Sequence, residues 1–172
     1  KSFIYNYNIT EGLRKGGTFV LNCPWRGDEL DGKLPAYLKR YIYQNDINFY
    51  LIDAIDIADE IDLGNRINMI MQSVFFKLAN VIPIGEAVEY LKSSIEKTYG
   101  RKGEKIVNMN KVAVDRGIQS VAKVDVPAKW GRAEDERVPY KEVPDFVRDI
   151  QRPMERHQGD KLSVGDFSGM ED

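Results

Sequence analysis

Three amides, Asn65, Asn68 and Gln72, recur at helical spacing in the otherwise apolar stretch GNRINMIMQSVFFKLANVIP, Gly64 to Pro83. At ~100° per residue they share one arc of a helix. Met69 and Phe76 separate that arc from solvent, and Phe75 borders it on the core side. Ile67, Ile70, Met71, Val74, Phe75 and Leu78 form the expected core arc. Arg66, Ser73, Lys77 and Asn80 form the arc expected to face solvent. Amides neither titrate nor attack, so their chemistry is hydrogen bonding. Left buried without partners they cost stability. The line therefore predicts either a packed polar surface or a bound ligand. The same helix start offers free backbone N–H groups and a positive dipole end. Arg66 adds a charge-assisted bond suited to a phosphate.

In open α/β sheets, ligands bind beyond the carboxyl ends of the strands. Two such ends are legible here, Asn22-Cys23-Pro24-Trp25 and Asp53-Ala54. Their convergence with Asn65-Arg66-Ile67-Asn68 would make a polar pocket for a phosphorylated ligand. The remaining reactive side chains read more plainly. Cys23 is expected as a small buried hydrophobe. The single histidine, His157, lies in a loosely patterned tail and is expected exposed, so no Cys–His dyad is assigned. Asp53 and Asp56 flank a helix start, where aspartate caps. Asn108 and Asn110 are suited to capping or local bonding. Met69, Met71, Phe75 and Phe76 are expected in the core. Trp25 and Trp130 are candidate interface anchors, Trp25 alternatively a cover for its strand end. CxxC, HExxH and GxxxxGK[ST] are absent, as is GxGxxG in its proper context. No catalytic residue and no metal ligand is assigned.

The elements that must position these groups follow from pattern and punctuation. TFVLN (18–22) and NFYLIDAI (48–55) read as buried strands. ITEGLRKGG (9–17) reads as a short helix capped by Thr10 and closed by glycine. LPAYLKRYIYQ (34–44) places Leu34, Leu38, Tyr41 and Ile42 on one face, with Pro35 in the first turn. DIADEIDLG (56–64) is a further short helix. EAVEYLKSSIEKTYG (86–100) buries Ala87, Leu91 and Ile95. GEKIVNMNKVAVDRGIQSV (103–121) sets Ile106, Met109 and Val112 or Ala113 at helical spacing. Strands separated by helices imply an α/β fold with part of an open, mostly parallel sheet. Two strands are too few for a complete doubly wound sheet. From Val126 the pattern dissolves into Pro127, Pro139 and Pro144 among charges, an extended C-terminal arm with a short helix at 145–157. The expected division is 1–126 for the α/β unit and 127–172 for the linker or arm.

The bulk numbers bound the class. The chain has 172 residues, 42% hydrophobic and 30% charged, ordinary for a globular domain. Its 25 basic and 27 acidic residues nearly cancel, so neither nucleic acid nor an anionic membrane is an expected partner. No apolar run approaches the ~20 residues of a membrane span. One cysteine fits a reducing compartment. Lys1 in place of Met and the unclosed GMED terminus lead us to expect a piece of a longer polypeptide.

GTFVLNCPW, INFYLIDAIDIADEI and the run from LGNRINMIMQ through NMNKVAVD, continuing into GIQSVAKVDVPAKW and VPDFVRDIQRPMERHQGDKLSV, resemble the γ-type domain of the pyruvate:ferredoxin (flavodoxin) oxidoreductases. The resemblance is collinear over essentially the whole chain. It implies oxidative decarboxylation of pyruvate with coenzyme A, giving acetyl-CoA, carbon dioxide and reduced ferredoxin or flavodoxin. It also implies thiamine diphosphate and [4Fe–4S] clusters in a cytoplasmic, homodimeric full enzyme, held by other domains of the same polypeptide. The family's glycine-rich phosphate loop would lie before Lys1. This domain's implied role is coenzyme A docking, with Asn68 and Arg66 as first candidates and Gln72 and Asn22 next. The alternative is a purely structural module that packs against a neighbouring domain.

Overall fold

The computed structural model describes residues 4, 9–135, 144–155 and 158–168. Strand β1, Thr18–Asn22, pairs in parallel with β2, Asn48–Ile52. A two-residue strand β3, Ala122–Lys123, adds to the other edge of β2 antiparallel, giving the order β1-β2-β3. The sheet is thus small and mixed. β2 ends at Ile52 rather than continuing to Ile55, because Asp53 accepts from Asp56 N–H at 3.2 Å and starts a helix there.

Both faces of the sheet are covered. On one lie α1, Gly27–Lys33, and α2, Ala36–Gln44, with Leu30, Leu34, Leu38 and Ile42 packed around Phe49 and Leu51. On the other lie α3, Ala54–Glu60, α4, Asn68–Ala79, and α6, Glu104–Ser120. Their Ile57, Ala58, Ile70, Val74 and Ala113 meet Ile52. Helix α5, Ile84–Tyr99, adds an outer layer on α6 through Leu91, Ile95, Val107 and Val114. Lys92–Asp115 at 2.7 Å and Lys111–Glu96 lace that pair.

Several expectations need correction. Residues 9–17 form turns, because Gly12 and Gly16 adopt left-handed φ of 80° and 71° that break a helix. Helix α1 lacks apolar periodicity, with Leu30 its one buried residue, so the sequence pattern hides it. Asp28 and Glu29 in its first turn and Lys33 in its last suit the dipole. Helix α4 begins at Asn68, since Gly64 at φ 56° and the Arg66 N–H to Leu63 O bond make residues 63–67 a turn. It ends on Asn80 in the left-handed region. In α6 the buried set is Val107, Asn110, Ala113, Val114 and Gly117, one position on from Ile106 and Met109.

The surfaces of α4 also differ. Ser73, expected in solvent, is fully buried, its Oγ donating to Ile70 O at 2.8 Å. Phe75, expected in the core, is 59% exposed. The reason is Gly117: α6 approaches so closely there that a Cβ would lie 2.6 Å from Ile70 O and nearer still to Ser73 Oγ. That approach turns Ser73 inward and rotates Phe75 away.

The turn at Ala128–Arg132 packs on the first face. Trp130 is 2% exposed and tilts against Phe49 at 6.1 Å. Its Nε1–H donates to Asp31 at 2.7 Å, and Asp31 also pairs with Lys129 at 2.6 Å. Trp25 is buried too, so both tryptophans are held within this chain. Beyond, residues 144–155 and 158–168 are built of short helical turns, including a wide turn at Val147–Gln151 ahead of Pro153. His157 lies outside the described residues. Among the described residues no helix is long and apolar enough to cross a membrane.

Two outcomes are expected. Gly117→Ala should lower unfolding stability by about 1–3 kcal/mol through overpacking; an unchanged denaturant midpoint would refute the close approach. The hydrogen bond from Lys129 holds the Asp31 carboxyl below its usual range, with Trp130 and Lys39 adding to it. A carboxylate with a depressed folded pKa contributes stability above its unfolded value of ~3.9 and loses it as pH falls through the lower folded value. The Trp130 indole N–H resonance should therefore move in acid below about pH 4. The movement should vanish in Asp31→Asn.

Candidate functional site

At the carboxyl ends of the strands the polar groups satisfy one another. Asn22 Oδ1 accepts from Ala54 N–H at 2.9 Å, so the end of β1 holds the start of α3. Cys23 N–H donates to Ile52 O at 2.8 Å. Arg26, which the sequence reading passed over, sends Nη1 to Cys23 O at 3.0 Å and to Trp25 O at 2.8 Å. Its one signal in the sequence was its place directly after a strand end, in Cys-Pro-Trp-Arg. Cys23 is buried, and that burial pushes its thiol above the usual range despite an opposing backbone hydrogen bond at Trp25. A raised pKa leaves little thiolate, the opposite of a nucleophile's requirement. Among the described residues no cluster of three or more His, Cys, Asp or Glu has a metal-binding arrangement.

The helix start lies apart from these groups in its bonding. Arg66 Nε donates to Leu63 O at 3.1 Å, closing the turn that precedes α4. Asn65 and Arg66 stand in that turn, outside the helix. Asn68 and Gln72 sit one turn apart on α4, exposed, and neither side chain bonds to another described residue. The first residue before the helix, Ile67, supplies no side-chain cap. The leading N–H groups of α4 are therefore open, as at any uncapped helix start. Lys77, expected to be free in solvent, instead donates to Ile118 O at 2.7 Å and ties α4 to α6. The structure thus brings Asn68 and Gln72 together. It bonds Asn22 to α3 and engages Arg66 in its own turn. Helix α3, about 10 Å long at seven residues, intervenes between Asn22 and that turn.

Comparison with known proteins gives the chain a family. Residues 3–120 match the sequence profile described as pyruvate ferredoxin/flavodoxin oxidoreductase. The chain belongs to that family. It is 55% identical over its full length to the pyruvate-flavodoxin oxidoreductase of Enterobacter agglomerans, of which it spans 15%. It is 48% identical over 97% of its length to the pyruvate:ferredoxin oxidoreductase of Moorella thermoacetica, spanning 14% of that protein. Residues 133–172 match a second profile, a domain of unknown function. Among solved structures, pyruvate oxidoreductase subunit PORC of Thermotoga maritima superposes with a TM-score of 0.52. That match has 21% identity and covers 68% of this chain and 57% of the subunit, a likeness of fold. This chain's α/β unit of helices around a small sheet is therefore similar in fold to part of that subunit.

Asn22 is expected to act structurally. Asn22→Ala should cost about 1 kcal/mol by leaving Ala54 N–H without its acceptor, as loss of a cap does. Asn22→Asp, which keeps an acceptor oxygen, should retain most of that stability in a thermal melt. Equal losses in the two variants would count against the role.

Proposed function

We propose that this chain serves a pyruvate:ferredoxin (flavodoxin) oxidoreductase as the part that docks coenzyme A at the start of α4. The observation that carries the reading is an exposed amide pair, Asn68 and Gln72, beside an uncapped helix start, in a chain of that family. The overall reaction would take pyruvate, coenzyme A and oxidised ferredoxin or flavodoxin to acetyl-CoA, carbon dioxide and the reduced carrier. Asn68 would bond a polar atom of the nucleotide portion, with Gln72 one turn on. Open N–H groups at the helix start favour an anion such as its phosphates. Arg66 would add charge nearby, and Asn22 would hold the neighbouring strand end.

The chain's own residues do not fit an iron–sulfur cluster. A [4Fe–4S] cluster takes four thiolates, and this sequence has one cysteine, buried in the core. Clusters and thiamine diphosphate would belong to other domains of a cytoplasmic, homodimeric enzyme. A second reading, that α4 packs on a neighbouring domain, is favoured by the exposed Phe75 on the same helix.

Coenzyme A titration and a thermal melt of the family-length polypeptide separate the two. Docking predicts that Asn68→Ala and Gln72→Ala each weaken coenzyme A binding by roughly 5–10-fold, one hydrogen bond's worth, with melting unchanged. A lowered melting midpoint with unaltered affinity sinks docking and selects packing.

A further inference from the structure

The crossing of α4 and α6 leaves no room at Gly117. A Cβ there would lie 2.6 Å from Ile70 O, and ordinary contact begins at 3.4 Å, so a methyl group must part the helices by about 0.8 Å. Ser73 Oγ can rotate aside, but the Ile70 carbonyl cannot. As part of the helix it is held by the N–H four residues on.

The neighbours of the crossing determine which helix yields. Gly117 lies near the anchored end of α6. Arg116 pairs with Glu60 of α3, and Ala122 and Lys123 of β3 pair with β2 only a few residues on. On the side away from α6, by contrast, α4 borders an open groove of about 460 Å³ lined by Met71, Phe75 and Leu78. A displacement is therefore taken up by α4. Asn68 and Gln72 travel with it, because Ile70 stands two residues after Asn68 and Ser73 directly follows Gln72. Hydrogen bonds from N–H donors span about 2.7–3.2 Å, so a shift of about 0.8 Å carries both amides out of range.

We propose that Gly117 is a positioning residue for coenzyme A: its missing Cβ lets α4 seat against α6 at the depth that puts Asn68 and Gln72 within bonding range of the ligand. The proposal rests on the docking reading above and adds to it the residue that sets the geometry. Gly117 is buried and acts through α4, not by contact with the ligand. Lys77 secures the same seat from the later turns of α4, its Nζ donating to Ile118 O at 2.7 Å.

A double-mutant cycle read by coenzyme A titration of the family-length polypeptide tests the role. Gly117→Ala should weaken coenzyme A binding by roughly 10-fold, since a misplacement of about 1 Å can cost about 100-fold. The pyruvate KM, and kcat at saturating coenzyme A, should stay within about twofold. In an Asn68→Ala/Gln72→Ala background the same glycine change should weaken binding no further. Ile42→Val, which opens a cavity on the other face of the sheet, should lower the thermal midpoint and leave affinity unchanged. Lys77→Met, at an exposed site, gives the same readout where the glycine variant does not fold. It should weaken binding by about two- to threefold, and Lys77→Arg should restore it. Full affinity in Gly117→Ala, or in Lys77→Met where that variant replaces it, overturns positioning and leaves docking intact. So does an equal loss in the Asn68→Ala/Gln72→Ala background or in Ile42→Val. If Asn68→Ala/Gln72→Ala itself keeps full affinity, the docking reading fails and the positioning role with it.

Discussion

Phe49 sets the terms for the whole molecule. It sits in the central strand, fully buried, stacked on Phe19 at 5.6 Å and tilted against Trp130 at 6.1 Å. A strand carrying Phe49 and Leu51 on one face and Ile52 on the other has no side that tolerates water. Two helical layers are therefore obligatory, and the chain supplies α1 and α2 for one and α3, α4 and α6 for the other. Trp130 completes the first layer from far along the sequence. An indole buried there needs an acceptor, and Asp31 provides it. The same carboxylate draws in Lys129 and Lys39, so one aromatic contact organises a small electrostatic network. Those pairs are partly exposed and contribute little by themselves; their effect is to hold the tryptophan in place.

The second layer imposes its own constraint on α4. Ile70 and Val74 must reach the sheet side, and Ser73 must meet Gly117. A helix has a fixed angular relation between residues, so these two demands fix its rotation completely. Phe75 then has nowhere to go but outward, and Asn68 and Gln72 share the accessible surface. The amide line and the exposed ring are thus consequences of one close helix crossing. Neither needs a separate cause within the chain.

Much of this was legible in the residues. TFVLN and NFYLI carry the strand signal in composition and flanking punctuation, and Ala87, Leu91 and Ile95 the helical one. What escaped did so for physical reasons. Helix α1 is held by a single buried leucine and by dipole-compatible charges, which leave no periodicity to count. The inward turn of Ser73 depends on a glycine some forty residues away, and no local pattern encodes that. Likewise, the apolar stretch opens at Gly64, but that left-handed glycine and the turn at Arg66 delay the helix to Asn68. Of the site candidates, Asn68 and Gln72 emerge as a pair because both follow that delay. Asn22 and Arg66 are engaged in local bonds that sequence spacing does not reveal.

Magnitudes constrain how such a helix start can take part in ligand binding. Exposed amides already bond water, so each bond exchanged for one to a ligand gains only about 1 kcal/mol. Two amides and a helix dipole worth about 0.3–1 kcal/mol reach roughly 2–3 kcal/mol. Even millimolar affinity requires about 4 kcal/mol. On the docking reading, therefore, the start of α4 cannot be a complete site. It must work against a second surface that lowers the local dielectric and strengthens each polar contact. Docking at α4 then depends on that second surface excluding the water that would otherwise compete for its amides.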